Sequence, residues 1–296
     1  MRVLVTGISG FVGQHLARAL LARGHEVAGT YLEEGFALAG VTAGRVALFP
    51  LDLRAGRARI DADLRAAVAV ARPQRIVHLA GLAHVGKSWH DIPGYFRVNV
   101  LGTEAVLDAA GGGEPAVPVL LASSAEVYGV VPEVEQPIAE SRAAAPVTPY
   151  ALTKAAAERL VLARGGVVVR QFNFIGPGQS AHFALPTFAR QLAAIEAGRQ
   201  PPRLAVGNLE ARRDFVHVVD GAEALALLVE AGEPGAVYNV AGGRAASIRE
   251  ALDLLLAVAG LRVETVLDER FLRPADIPLL CGSAEPLRRL GWAASR

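Results

Sequence analysis

Apolar residues along this chain fall into short blocks, and the blocks alternate between two periods. Residues 2–6 form a strand-like run, after which Leu16, Leu20 and Leu21 recur at helical spacing. Further strand-like runs stand at 26–31, 45–51, 74–79, 117–121 and 167–170. Helical patterns occupy 60–70, 93–110 and the stretch from 150 to the Gly165-Gly166 breaker. Six strands separated by helices at this cadence predict an α/β fold with a doubly wound parallel sheet. Beyond Asn173 the elements shorten: helices at 186–198, 219–231 and 248–259 alternate with strands at 203–206, 236–240 and 261–267. The expected division is a first domain at 1–172 and a smaller, discontinuous α/β domain at 173–296, with returns to the sheet around 214–242.

Composition narrows the classes. Lys plus Arg (30) nearly cancels Asp plus Glu (29), so no long-range field draws the chain to nucleic acid or an anionic membrane. Cys281 is the single cysteine, and the seven histidines are scattered, so no metal site is expected. The first residues turn into a glycine-rich loop instead of a long apolar region, and no apolar stretch reaches spanning length. The expectation is a soluble protein of the cytoplasm.

The first strand runs into Gly7-Ile8-Ser9-Gly10-Phe11-Val12-Gly13. Glycines at 7, 10 and 13, between a strand and an amphipathic helix, suit a tight turn, close approach of a pyrophosphate and close helix packing. Gly7, Gly10, Phe11, Val12 and Gly13 are therefore candidate cofactor-binding residues for a dinucleotide. Thr30 ends the second strand, where an acid would hold the ribose of NAD and an arginine would favour NADP. Glu33 and Glu34 follow, and two carboxylates repel a 2′-phosphate, so NAD is favoured over NADP. Asp52, after the third strand, can receive an adenine amino group or cap the next turn. Leu79, Ala80, Gly81 and Ala83 leave room for a cofactor against the backbone. His78 reads as a packed core residue. Asn99, polar amid Phe96, Val98, Val100 and Leu101, must be paired, and is expected to tie its helix to the site's backbone or to a water.

The chemistry concentrates in Leu121-Ala122-Ser123-Ser124-Ala125-Glu126-Val127-Tyr128-Gly129 and Thr148-Pro149-Tyr150-Ala151-Leu152-Thr153-Lys154. Ser124 and Glu126 stand where a buried strand gives way to a loop, the usual place for a ligand in an open α/β sheet. Tyr150 and Lys154, four residues apart at the head of a helix, leave the same face.

These residues, together with Val85-Gly86-Lys87-Ser88-Trp89, residues 172–180, residues 206–215 and Leu272-Arg273-Pro274-Ala275-Asp276, resemble the sugar-nucleotide branch of the extended short-chain dehydrogenases/reductases. Within it they are similar to the GDP-4-dehydro-6-deoxy-D-mannose reductases, and more distantly to the GDP-mannose 4,6-dehydratases. The resemblance implies a Rossmann-type sheet with a substrate-binding domain, and a reaction centre of Ser124, Tyr150 and Lys154. It further implies Asp52 and Leu53 beside the adenine, Ser88 and Asn173 along the sugar or its diphosphate, and Arg213 and Arg273 on the phosphates of a GDP-linked sugar, with Asn208 in the same wall. A homodimer through the helix of Tyr150 is the implied assembly. The implied reaction is NAD(P)H-dependent reduction of a C4 ketone to GDP-D-rhamnose, with Tyr150 as proton donor and Lys154 lowering its pKa. Gln171 and Phe174 depart from the family pattern. Glu126 keeps open a 4,6-dehydratase in which it is the base. A UDP-hexose 4-epimerase, and a non-catalytic, cofactor-sensing binding protein built on the same sheet, stay open as well.

Overall fold

The computed structural model describes residues 1–32, 44–113, 116–272 and 274–296. Its chain runs β1 (Arg2–Thr6), α1 (Phe11–Ala22), β2 (Glu26–Tyr31), β3 (Val46–Pro50), α2 (Arg57–Ala71) and β4 (Arg75–His78). The short helices α3 (Val85–Ser88) and α4 (Ile92–Phe96) follow. A π-turn (Arg97–Leu101) carries α4 into α5 (Gly102–Ala110), and β5 (Val119–Ser124) ends in a 3-10 turn (Ala125–Tyr128). After the surface excursion come α6 (Pro149–Ala163) and β6 (Val167–Gln171). The second half comprises β7 (Asn173–Ile175), α7 (Ala184–Glu196), β8 (Arg203–Val206), β9 (Arg212–His217), α8 (Val218–Ala231), β10 (Val237–Val240), β11 (Ala245–Ser247), α9 (Ile248–Ala259), β12 (Glu264–Leu267), β13 (Leu279–Leu280) and α10 (Glu285–Arg289).

The main sheet has seven strands in the order β10-β6-β5-β4-β1-β2-β3, with every pairing parallel. Strands buried on both faces read as continuous apolar runs, and here the two faces are filled separately. Val3, Val5, Leu120 and Val169 pack with Leu16, Leu20, Leu225 and Leu228 of α1 and α8. Leu4, Ile76, Leu121 and Val168 pack with Leu64, Val106 and Val161 of α2, α5 and α6. The order reverses between β1 and β4, which opens the crevice where such sheets take ligands.

Outside the main sheet, β9 pairs with β7, β11 and β13, and β8 pairs with β12. The return to the large sheet is made by α8 and β10, residues 218–240. The expected return began at 214, but β9 runs on to His217 and pairs with Asn173–Ile175. A third core, Phe188, Leu192, Leu204, Val206, Leu209 and Leu252, holds α7 and α9 over the small β8–β12 sheet. Among the described residues no helix is long and apolar enough to cross a membrane.

Candidate active site

Tyr150 is placed by the start of its helix. Thr148 caps α6, its hydroxyl accepting the Ala151 amide at 3.1 Å, and Pro149 fills the first helical position. Tyr150 therefore lies in the first turn, at the C-terminal end of β5, where Ser124 stands close enough to its phenol to act on its pKa. Lys154, one turn on, is buried and donates to the carbonyl of Ala122 at 2.8 Å. Ser124 also accepts the Glu126 amide at 3.2 Å. Ser124, Glu126, Tyr150 and Lys154 thus meet at one strand end.

Burial is the dominant force on both titrating groups. It lifts Tyr150 well above its ordinary value; the hydrogen bond from Ser124 opposes the rise and the nearby Glu126 carboxylate adds to it. Lys154 is pushed down to about 8 by burial, with Glu158 working against the fall. Lys154 is not among the groups that shift Tyr150, its ammonium being directed at the Ala122 carbonyl. Tyr150 is consequently held as the phenol, the form that gives a proton.

The glycine loop fits a dinucleotide. Gly7 has φ +72°, and a Cβ there would come within 2.9 Å of the Ala80 backbone. A Cβ on Gly13 would lie 2.5 Å from the Gly7 carbonyl. Gly10 caps α1 without a side-chain hydrogen bond, which leaves the amides of Phe11, Val12 and Gly13 for an anion. Leu79, Ala80 and Ala83 line the edge above β4 with partly open surfaces.

Several expected site residues are engaged within the protein itself. Thr30 is buried, and its hydroxyl accepts the Gly7 amide at 3.1 Å, so it shapes the glycine loop from beneath instead of facing a ribose. Leu53 is buried, with its side chain against Gly102. Asp52 caps its own turn and pairs with Arg54, accepting from the Arg54 amide and guanidinium at 2.9 Å each. Asn99 is a positioning residue. The π-turn aims it at Leu82, with which it exchanges two hydrogen bonds (2.8 and 3.0 Å), and at Thr153 Oγ1 of α6 (3.0 Å). Ser88, expected in an exposed loop along the sugar, is fully buried in α3; it donates to the Val85 carbonyl and accepts the Tyr150 amide. Glu33, Glu34 and Arg273 lie outside the described residues. His78 is a core residue, bonded to Thr6 and Thr103 and pushed down to about 3 by burial and by Lys154.

A cavity of about 510 Å³ is walled by Asn173, Asn208 and Arg213 together with Lys87, Arg190 and Arg270. His84, His90 and His182 add to the same wall, against the single carboxylate Asp276. Arg213 is buried and paired with Asp276 at 2.9 Å, and Asn208 donates to the same carboxylate at 2.8 Å. A more open groove of about 530 Å³ adjoins it across Gly207 and Asp276. The enclosed, basic cavity is the better candidate for an anionic ligand, because it begins at Asn173, two residues beyond the β6 residue paired in register with Ser124. The sequence reading missed the histidines: His84 and His182 meet only through the fold, where His84 Nε2 lies 3.1 Å from the His182 carbonyl. Gln171, the residue opposite Ser124, keeps its Nε2 buried without a partner.

Comparison with known proteins shows the family and the fold. The family model for GDP-mannose 4,6 dehydratase matches residues 4–296. The chain belongs to this family. It is an extended short-chain dehydrogenase/reductase and an enzyme of that oxidoreductase type. It is 36% identical to the GDP-6-deoxy-D-mannose reductase of Pseudomonas aeruginosa, across 98% of this chain and 91% of the relative. The solved structure of RMD from Pseudomonas aeruginosa complexed with NADPH superposes with a TM-score of 0.81 at 35% identity, covering 100% of this chain and 94% of that one. The Thermus thermophilus UDP-glucose 4-epimerase in complex with NAD gives a TM-score of 0.85 at 32% identity, again covering 100% and 94%.

Proposed function

We propose that this family member reduces the C4 ketone of a GDP-4-keto-6-deoxyhexose to GDP-D-rhamnose, with a reduced nicotinamide dinucleotide as hydride source. The observation that carries the reading is the meeting of Ser124, Tyr150 and Lys154 at the end of β5, with a cavity of four cationic side chains that begins at Asn173, two residues beyond the β6 partner of Ser124. The similarity to a GDP-6-deoxy-D-mannose reductase supports the choice of sugar. Residues 1–172 then serve mainly the dinucleotide and 173–296 mainly the substrate, with 218–240 returning to the large sheet.

The bound dinucleotide supplies the hydride that reaches C4. Gly7, Gly10 and the first amides of α1 hold its pyrophosphate. Ser124 donates to the C4 oxygen and orients the carbonyl. Tyr150 gives the developing alkoxide its proton and is reprotonated from solvent, so ketone, hydride and one proton balance to alcohol. Lys154 places a positive charge behind Tyr150. Arg213, Lys87 and Arg190 neutralise the diphosphate, while Asn173 and Asn208 bond its sugar end. NAD is preferred to NADP on the charge of Glu33 and Glu34, which would repel a 2′-phosphate. The cytoplasm, where a lone buried Cys281 stays reduced, is the expected compartment. Pairing through α6, whose Leu152 faces outward, is the expected dimer.

A second reading is favoured by Glu126, whose carboxylate acts on Tyr150 from the same strand end. It would remove the C5 proton in a 4,6-dehydratase. Incubation with GDP-4-keto-6-deoxymannose and NADH or NADPH, followed by nicotinamide absorbance and product mass, separates the readings. Stoichiometric oxidation of the nicotinamide is the expected result. Loss of water from GDP-mannose without net cofactor use would install the dehydratase, and interconversion of UDP-hexoses alone would install an epimerase.

A further inference from the structure

Directly behind the reaction centre lies a buried ion pair that the mechanism above does not use. Glu158 follows Lys154 by one turn of α6, and its carboxylate takes three donors from two strands. Ser123, next to Ser124 on β5, donates to it at 2.5 Å. Arg170 of β6 donates through Nε (3.1 and 3.2 Å) and Nη2 (2.8 Å). The side chains of Glu158 and Arg170 are 3% and 8% exposed, so neither charge is met by water. Arg170 in turn lies 4.6 Å over the ring of Tyr128, and Tyr128 donates to Asn239 of β10 at 2.7 Å. The helix carrying Tyr150 and Lys154 is thereby pinned to two strands through one carboxylate.

We propose that Glu158 is a positioning residue for the reaction centre: clamped by Arg170 and Ser123, it fixes α6 over the end of β5 so that Tyr150 meets Ser124, and it keeps a negative charge one turn behind Lys154. A buried carboxylate is retained with its partners only where the geometry repays desolvation, and replacement of the pair by apolar groups is often neutral for stability. The position of the pair beneath Lys154 gives it a role that apolar packing cannot fill. The groups that act on Lys154 or are acted on by it are His78 from β4 and Glu158 from α6; Glu126 from the turn after β5 and Tyr95 from α4 act on Tyr150, and Arg170 from β6 acts on Glu158. His78 is held neutral, Tyr95 and Tyr150 remain phenols, and Arg170 is bound to Glu158. Glu158 is the group that holds the ammonium charged against burial.

The proposal rests on the reading of Tyr150 and Lys154 as reacting groups, but its test does not need turnover. The chain has two lysines, Lys87 and Lys154, and Lys87 is exposed, so protein labelled with 13C at lysine Cε gives two resolvable titrations. In the parent, Lys154 should titrate at about 8. In Glu158→Gln it should titrate about one pH unit lower, as expected on loss of an opposite charge at this range. Glu158→Gln/Arg170→Gln, which leaves no unpaired buried charge, should move it the same way by less. In the reductase assay both variants, and Ser123→Ala, should lose kcat by about tenfold or more, as misplaced reacting groups do, at unchanged KM for the dinucleotide. A folded variant of either kind in which Lys154 titrates as in the parent overturns the proposal, as does Ser123→Ala with parental kcat. A parent that fails to reduce the keto sugar overturns the assigned reaction, while the lysine titration still decides the role of Glu158.

Discussion

The hydroxyl of Ser88 accepts the amide N–H of Tyr150 at 3.2 Å while donating to the Val85 carbonyl at 2.6 Å, so the helix of the proton donor is held by a buried residue sixty-two positions earlier. Replacement by alanine leaves the Tyr150 amide and the Val85 carbonyl short of a buried partner, at a cost of about 1–3 kcal/mol. Ser88→Ala should therefore melt several degrees lower. Its kcat should fall with little change in dinucleotide affinity, because the glycine loop is untouched. Thermal melts with steady-state kinetics check both halves, and a variant with unaltered kcat would show that this contact does not position Tyr150.

Removal of the phenolic hydroxyl isolates the proton transfer. Tyr150→Phe keeps the ring that packs edge-on against Tyr95 at 6.5 Å and loses the hydroxyl beside Ser124. Reduction of the keto sugar should slow by about 10²–10⁴-fold, the usual contribution of a positioned general acid. Binding of the dinucleotide, followed by nicotinamide fluorescence, should stay within a factor of about two, because its pyrophosphate is held by backbone amides of the first helix. Parental turnover in this variant would remove Tyr150 from the mechanism.

The two periods of the apolar pattern were enough to place the large sheet, because strands buried on both faces and helices buried on one leave different signatures. The candidate reacting residues stood out in the sequence for a related reason. Ser124 ends an apolar strand, and Tyr150 and Lys154 share a helix face. The direction of side chains at the strand ends was not legible. Thr30 and Leu53 turn inward, and Ser88 is drawn under α6, because hydrogen bonds across 23 and 62 residues decide where each hydroxyl goes. The same holds for the histidines of the cavity, which carry no common spacing. Glu158 stands at i+4 from Lys154 on the same helix face, yet without the strands that meet it nothing separates it from an ordinary helix carboxylate.

Lys154 illustrates a reacting group that weakens the fold. Its pKa is lowered from 10.5 to about 8 by burial, so between those values the unfolded chain binds the extra proton. Stability linked to this group is fully present above about pH 10.5 and is lost as pH falls through about 8, a difference of ~3 kcal/mol. Lys154→Met, similar in volume and uncharged, should thus be more stable than the parent at pH 7 and lose reductase activity. The gain should shrink in denaturant titrations taken toward pH 10.5. A variant that is less stable at pH 7 would show that the bond to the Ala122 carbonyl outweighs desolvation.

Glu126 gives the sharpest division between the two reactions this centre can support. Its backbone N–H bonds Ser124, and its carboxylate raises Tyr150 further above its ordinary value. A reductase takes no proton from C5, so in Glu126→Gln the backbone bond survives, the phenol remains protonated at neutral pH, and reduction of the keto sugar should persist within about threefold. Tyr150 should lose part of its upward shift, so any alkaline fall in kcat should move to lower pH. A 4,6-dehydratase would instead lose its base. Elimination of water from GDP-mannose should then drop by about 10²-fold or more, the scale of a missing general base. The variant assayed in both directions therefore reports which chemistry the Ser124–Tyr150 pair serves. Collapse of reduction alongside intact dinucleotide binding would assign Glu126 a part in the reduction itself.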